Sequence, residues 1–162
     1  MGSSKAITRG VRVEVTTEYD PTRSFPEHNR WFYLYTVEIS NDGSETVQLM
    51  SRHWTITNAT GHVEEVKGPG VVGESPVLEE GESFEYTSGC PLSTSFGTMH
   101  GTYQMVTSGG DHFAADIELV EPSPLFADLA PSQTVWMSHG DRVDRLPPGY
   151  RVLALSLIHI SE

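Results

Sequence analysis

The sequence predicts an all-β fold, an antiparallel β-sandwich of the fibronectin type III or immunoglobulin kind. Three observations lead there. Apolar and polar residues alternate in short runs. Turn signals separate those runs, giving about seven strands at spacings of roughly eight to twelve residues. No stretch before Pro122 sustains a 3.6-residue apolar period.

Residues 1–10 lack such alternation and are expected to be disordered. Val11, Val13 and Val15 alternate with Arg12 and Glu14, as in a half-buried strand. Residues 30–40 (RWFYLYTVEIS) are aromatic and β-branched without Gly or Pro, which suits a central strand. Asn41-Asp42-Gly43 is a turn signal. Residues 47–59 then alternate around Leu49, His53, Trp54 and Ile56, and the two long strands are expected to pair as a hairpin across Asp42-Gly43. Thr60-Gly61 turns the chain into residues 62–66. Phe84 and Tyr86, two apart, share a face. Residues 99–107 and 112–120 flank Ser108-Gly109-Gly110-Asp111, a second hairpin tip. Trp31, Trp54, Phe84 and Tyr86 are the expected core anchors. The Cys…Trp…Cys signature of antibody domains is absent, so only the architecture is shared.

The character changes after Pro122. Pro124, Pro131 and Pro147-Pro148-Gly149 punctuate the remaining residues, and no repeat is visible. The domain is therefore bounded at 11–127, with 128–162 a linker and appendage expected to pack poorly. Residues 1–127 hold seven basic and eighteen acidic side chains, and 128–162 hold three and four. The acidic character belongs to the first segment.

The 162 residues amount to about one domain and carry a formal charge of −12. That charge argues against nucleic acid or an anionic membrane surface as the partner. One Cys forms no internal disulfide. No run approaches the roughly 20 apolar residues of a membrane span, and residues 1–25 lack the apolar core of a signal peptide. A cytoplasmic location is expected. Sheet edges leave room for a homodimer.

Candidate chemistry is sparse. Gly68-Pro69-Gly70-Val71-Val72-Gly73 matches G-x-G-x-x-G by letter, but Pro76 and Gly81 leave no place for the helix whose N-terminus would hold a pyrophosphate. The expected form is a wide loop with glycines at positive-φ or crowded positions. An anion-binding loop of backbone N–H groups with Lys67, Gly68, Gly70 and Gly73 is the functional alternative, against the repulsion of Glu64, Glu65, Glu74, Glu79 and Glu80. Seven His include His28, His53, His62, His100 and His112, none at zinc-ligand spacing, so no metal site is assigned. The pairs Glu64-Glu65 and Glu79-Glu80 read as solvated turn residues. Cys90 is followed directly by Pro91, which does not suit a nucleophile elbow. Ser138, His139 and Asp141 are too close in sequence to share a triad's geometry. No catalytic residue and no cofactor are assigned, and an enzyme is not expected.

The segment from about 11 to 126 resembles the ApaG family. Arg52-His53-Trp54-Thr55-Ile56-Thr57-Asn58 carries the likeness, with residues 66–76 around the glycine cluster, Phe84 to Gly89, Gly97 to Met105, and Phe113 to Ile117. The resemblance implies a fibronectin type III-like sandwich without established catalytic residues, and a loose association with cobalt and magnesium resistance or efflux. It also implies a role as a protein-interaction module, as in larger F-box proteins, and a pyrophosphate reading of the loop at Gly68, Gly70 and Gly73. Ser75 departs from the Gln of many members. A protein partner or a small anionic ligand is expected; a phosphate- or nucleotide-binding protein using that loop is the alternative. Residues 134–154, through Val135-Trp136-Met137-Ser138-His139-Gly140-Asp141 and Leu146-Pro147-Pro148-Gly149, resemble a piece of the glutamine amidotransferase domain of GMP synthase. That piece lacks the nucleophile and base, so glutamine hydrolysis is not expected of it. Residues 155–162 match neither family, and the C-terminus reads as chimeric.

Overall fold

The computed structural model describes residues 2–124. The expectations for residues 128–162 lie outside the described residues. Among the described residues, nine strands run in order: β1 (Gly2–Thr8), β2 (Val11–Tyr19), β3 (Trp31–Asn41), β4 (Val47–Asn58), β5 (Val63–Pro69), β6 (Val77–Leu78), β7 (Ser83–Leu92), β8 (Gly97–Thr107) and β9 (His112–Val120). A 3-10 turn, Pro26–His28, interrupts the link from β2 to β3. The strands form two antiparallel sheets stacked as a β-sandwich. One has the order β1-β2-β3-β7; the other has β5-β4-β8-β9, with the short β6 against the start of β4.

Two sequence expectations are corrected. Residues 1–10 are not disordered: β1 pairs along β2 from Gly2 opposite Thr17 to Thr8 opposite Val11. Its sequence, GSSKAIT, is too polar for hydropathy to reveal, because edge pairing rests on backbone hydrogen bonds rather than on burial. The hairpin across Asp42-Gly43 does not form either, since β3 and β4 lie in different sheets. Asn41 is 1% exposed, and its amide donates to the carbonyls of Glu45 (2.7 Å) and Leu78 (3.0 Å) while its Oδ1 accepts from the Gly43 N–H (3.1 Å). These bonds fix a turn that carries the chain from one layer to the other. The other two turns do close hairpins, β4–β5 past Thr60-Gly61 and β8–β9 past residues 108–111.

The core lies between the layers. Val11, Val13, Val15, Val37 and Ile39 from one sheet meet Leu49, Tyr103, Met105 and Ile117 from the other. Tyr35, Trp54, Tyr86 and Tyr103 form its aromatic centre. Edge-on contacts join Tyr35 to Trp54 (5.3 Å between centroids), Tyr35 to Tyr86 (6.3 Å) and Trp54 to Tyr103 (6.3 Å). Of the expected anchors, Trp54 and Tyr86 are central, while Trp31 and Phe84 pack half-buried at its margin.

The two long sides of the sandwich differ. On one, β1 and β9 are joined: Ser4 Oγ donates to the Glu118 carbonyl (2.9 Å), and the Asp116 N–H donates to Thr8 Oγ1 (3.1 Å). On the other, the edge strands β5 and β7 stand apart with a cleft between them.

Candidate functional site

The cleft begins with a β-bulge. In β4, Leu49 faces Met105 of β8, but Ser51 faces Gln104, so Met50 is an extra residue. The inward positions shift phase across it. Val47 and Leu49 point inward before the bulge, and Arg52, Trp54 and Ile56 lie on the inner face after it. Opposite them on β5 stand Gly68, Val66 and Glu64, each sharing its partner's face. The facing wall comes from Tyr35 of β3 and from Tyr86, Ser88 and Cys90 of β7, and the cavity measures about 250 Å³.

Arg52 is fixed in this cleft. Its Nη1 donates to the carbonyls of Pro69 (3.0 Å) and Gly70 (2.9 Å). Gly68 leaves room for the guanidinium, since a Cβ there would stand 3.3 Å from it. Trp54 is 1% exposed, and its indole N–H has no partner in hydrogen-bonding geometry, although it approaches Tyr86. The Tyr86 and Tyr103 hydroxyls bond each other. Burial pushes the Tyr86 phenol up to about 12, and its bond to Tyr103 pulls the other way. Burial likewise raises the Cys90 thiol to about 12, with a smaller push from Glu64. A thiol so placed is protonated at neutral pH and is a poor nucleophile.

The glycine cluster is a turn folded back on itself. The N–H of Gly70 donates to the carbonyl of the bulge residue Met50 (2.9 Å), and Val71 and Glu74 exchange both backbone bonds at 2.8 Å. Val72 and Gly73, at φ 44° and 80°, fill the corner of a tight hairpin that favours left-handed residues. Gly70 is required sterically: at φ 56°, a Cβ would lie 2.1 Å from the Glu74 carbonyl oxygen. The Gly70 N–H, one of the groups expected to cradle an anion, is thus spent on a carbonyl, as are those of its neighbours Val71 and Glu74. Lys67 is on the outer face of β5, opposite His53, with its Nζ 3.6 Å from Glu65. It is not brought together with Gly68, whose inward position faces Arg52.

The remaining candidates scatter. His53 Nε2 lies 2.9 Å from Glu65 Oε1 on the outer face, and that hydrogen bond, then the charge of Lys67, holds the Glu65 carboxyl below its ordinary value. Glu64 and Glu65 point to opposite faces of β5 and do not act as a pair. Among the described residues no three His, Cys, Asp or Glu are grouped to hold a metal ion. Sequence reasoning does not single out Arg52 for a site. The phase break after Met50 is the signal for it, because it turns Arg52 inward beside Trp54.

Residues 21–107 match the model of the ApaG domain. The chain belongs to the ApaG family. It is 55% identical over 113 residues to the ApaG protein of Brucella anthropi, covering 70% of this chain and 87% of that one. The ApaG protein of Beijerinckia indica is 56% identical over 111 residues, covering 68% and 85%. A crystal structure from Bordetella pertussis, described as an ApaA protein, superposes with a TM-score of 0.69 at 47% identity, over 70% of this chain and 92% of that one. The likeness of residues 134–154 to GMP synthase finds no support in these matches, and that stretch lies outside the described residues.

Proposed function

We propose that this ApaG-family chain is a non-catalytic binding domain whose working surface is the open side of the sandwich, where β5 and β7 present their edges to a protein partner. The asymmetry of the two sides supports this reading. The edges of β1 and β9 are tied together by hydrogen bonds, whereas β5 and β7 keep their outer backbone groups available for strand addition. The charges on β5 (Glu64, Glu65, Lys67) guard that edge against indiscriminate pairing, and β7 carries Pro91 near its end. A photo-crosslinking residue at Thr87 of β7, with a control at Glu118 on the sealed side, tests it in living cells. A defined adduct from position 87 alone is expected. Equal adducts from both positions, or none from 87, overturn the reading.

A second reading keeps the glycine turn as a phosphate or nucleotide site. It is favoured by Val72 and Gly73, whose N–H groups make no hydrogen bond within the described chain. Titration with pyrophosphate tests it, using Lys67→Ala as the variant because any side chain at Gly70 collides with Glu74. A link to cobalt and magnesium resistance and a cytoplasmic location are part of the proposal. Direct cation binding would appear as heat in a calorimetric titration with Co²⁺ or Mg²⁺.

A further inference from the structure

We infer that the outer edge of β5 pairs with the same edge of a second copy of this chain, antiparallel and centred on Val66, so that one sheet runs through both molecules. This rests on the open side as the working surface and assigns the β5 part of it, leaving the β7 edge for a different protein.

The first argument is which backbone groups face outward. The Asn58 N–H donates to the His62 carbonyl (3.0 Å), and the Gly70 N–H donates to the Met50 carbonyl (2.9 Å). Bonded positions alternate along an antiparallel pair. Residues 62, 64, 66, 68 and 70 therefore bond to β4, while 63, 65, 67 and 69 turn their backbone groups away from it. β5 is the last strand of its sheet, so those groups meet no other strand. With Val66 opposite Val66 of the second copy, Glu65 and Lys67 of the two chains exchange backbone bonds, and each Val63 N–H reaches a Pro69 carbonyl. Pro69, which has no N–H to give, falls at the end of that ladder.

The second argument is charge. In this register Glu65 stands opposite Lys67 of the second copy, and Lys67 opposite its Glu65, on the outer face. On the inner face Glu64 stands opposite Gly68 of the second copy. The Arg52 guanidinium lies over Gly68, where a Cβ would be 3.3 Å from its Cζ and from both Nη atoms. Its Nη1 is held by the Pro69 and Gly70 carbonyls, and its Nη2 and Nε make no hydrogen bond among the described residues. Neighbouring strands lie about 4.8 Å apart, so Glu64 of the second copy comes within reach of that oriented guanidinium. Among the described residues neither Arg52 nor Glu64 has an ion pair of its own. Two-fold symmetry makes each of these pairs occur twice.

The third argument is that the other registers fail. Setting odd positions against even ones mixes the inner and outer faces and opposes free backbone groups to bonded ones. Centring on Glu64, Glu65 or Lys67 sets identical charges against each other, and centring on Gly68 brings the two Arg52 guanidinium groups together. The charges that keep foreign strands off this edge thus admit one arrangement of the edge with itself.

The test is sedimentation equilibrium of the full chain at about 0.15 M salt, where repulsion between two acidic molecules is screened beyond roughly 8 Å. The expected result is a dimer with a dissociation constant of about 100 μM or tighter. Glu65→Lys and Lys67→Glu are changes at exposed positions. Each alone sets like charges opposite and should weaken the dimer at least about tenfold. An equimolar mixture of the two variants should associate again, because the Lys pair of one chain then faces the Glu pair of the other. A native chain that stays monomeric at about 1 mM overturns the inference. So does a dimer that neither substitution weakens, or a mixture that associates no better than its components. A monomeric chain that still gives the Thr87 adduct overturns this inference alone. A dimer with these charge effects and no Thr87 adduct upholds it and removes the β7 partner.

Discussion

Val72 is a β-branched residue at φ 44°, more than half exposed, in a conformation its side chain disfavours. Val72→Asn should stabilise the domain by about 1 kcal/mol, read as a raised urea midpoint with unchanged slope. The neighbouring glycines separate two kinds of cost. Gly73→Ala meets open space and should cost about 1 kcal/mol for its backbone angle alone. Gly70→Ala also drives a methyl into the Glu74 carbonyl and should cost clearly more, detaching the turn from Met50. Cys90 and Tyr86 give a pH signature. Both protons are held more tightly in the folded chain, at about 12 against ordinary values of 9.0 and 10.0, so the unfolded chain loses them first as pH rises. Stability is complete below about pH 9 and should fall between there and about pH 12, visible as urea midpoints that drop with pH and drop less in Cys90→Ala. At this scale the sequence named Trp54 and Tyr86 correctly as centre residues, because large aromatics in alternating runs have few other places to go. It missed Arg52, since a lone cation beside His53 and Trp54 reads as solvent-facing until the strand's phase is known.

Among the elements, β4 governs the rest. Its bulge at Met50 is what places both Leu49 and Trp54 inside, since strict alternation puts one of them out. Deleting Met50 should keep Leu49, Arg52 and Trp54 on one face, because the two sides of the bulge then fall into plain alternation, but it removes the carbonyl that accepts from the Gly70 N–H. Cooperative unfolding should persist while amide exchange at Gly70 accelerates, and Met50→Ala, which keeps the backbone group, should leave that exchange slow. Strand identity was legible wherever apolar and polar residues alternate, as in β2, β3, β8 and β9. It was not legible in β1, a polar edge strand held to β2 by the backbone ladder with Lys5–Glu14 and Gly2–Thr17 contacts that leave no apolar pattern, nor in the two-residue β6. Pairing partners were harder still. Asn41-Asp42-Gly43 looks the same in sequence whether it joins neighbours in one sheet or passes between two. What decides it is the Asn41 amide reaching Leu78, thirty-seven residues away.

For the molecule as a whole, the pairing is mostly non-local. β3 pairs with β7, and β4 with β8, across long intervening segments. Folding on the scale of milliseconds to seconds is therefore expected, measurable by stopped-flow fluorescence after dilution from urea. Microsecond folding would mean that local hairpins dominate. The same non-locality explains why the cleft could not be read in advance: its walls come from β3, β4, β5 and β7, and no contiguous motif encodes it.

The sealed side of the sandwich has one further consequence. Gly2 donates its N–H to Thr17 Oγ1 (3.2 Å) and has no room for a Cβ beside the Glu121 carbonyl, so residues 2 and 121 meet at a single corner of the β-sandwich. A body with adjoining ends can be spliced into a surface bend of an unrelated host, or rejoined end to end and reopened at the tip near Gly110, without disturbing its opposite flank. Such a plug-in geometry lets one fold be carried by many architectures.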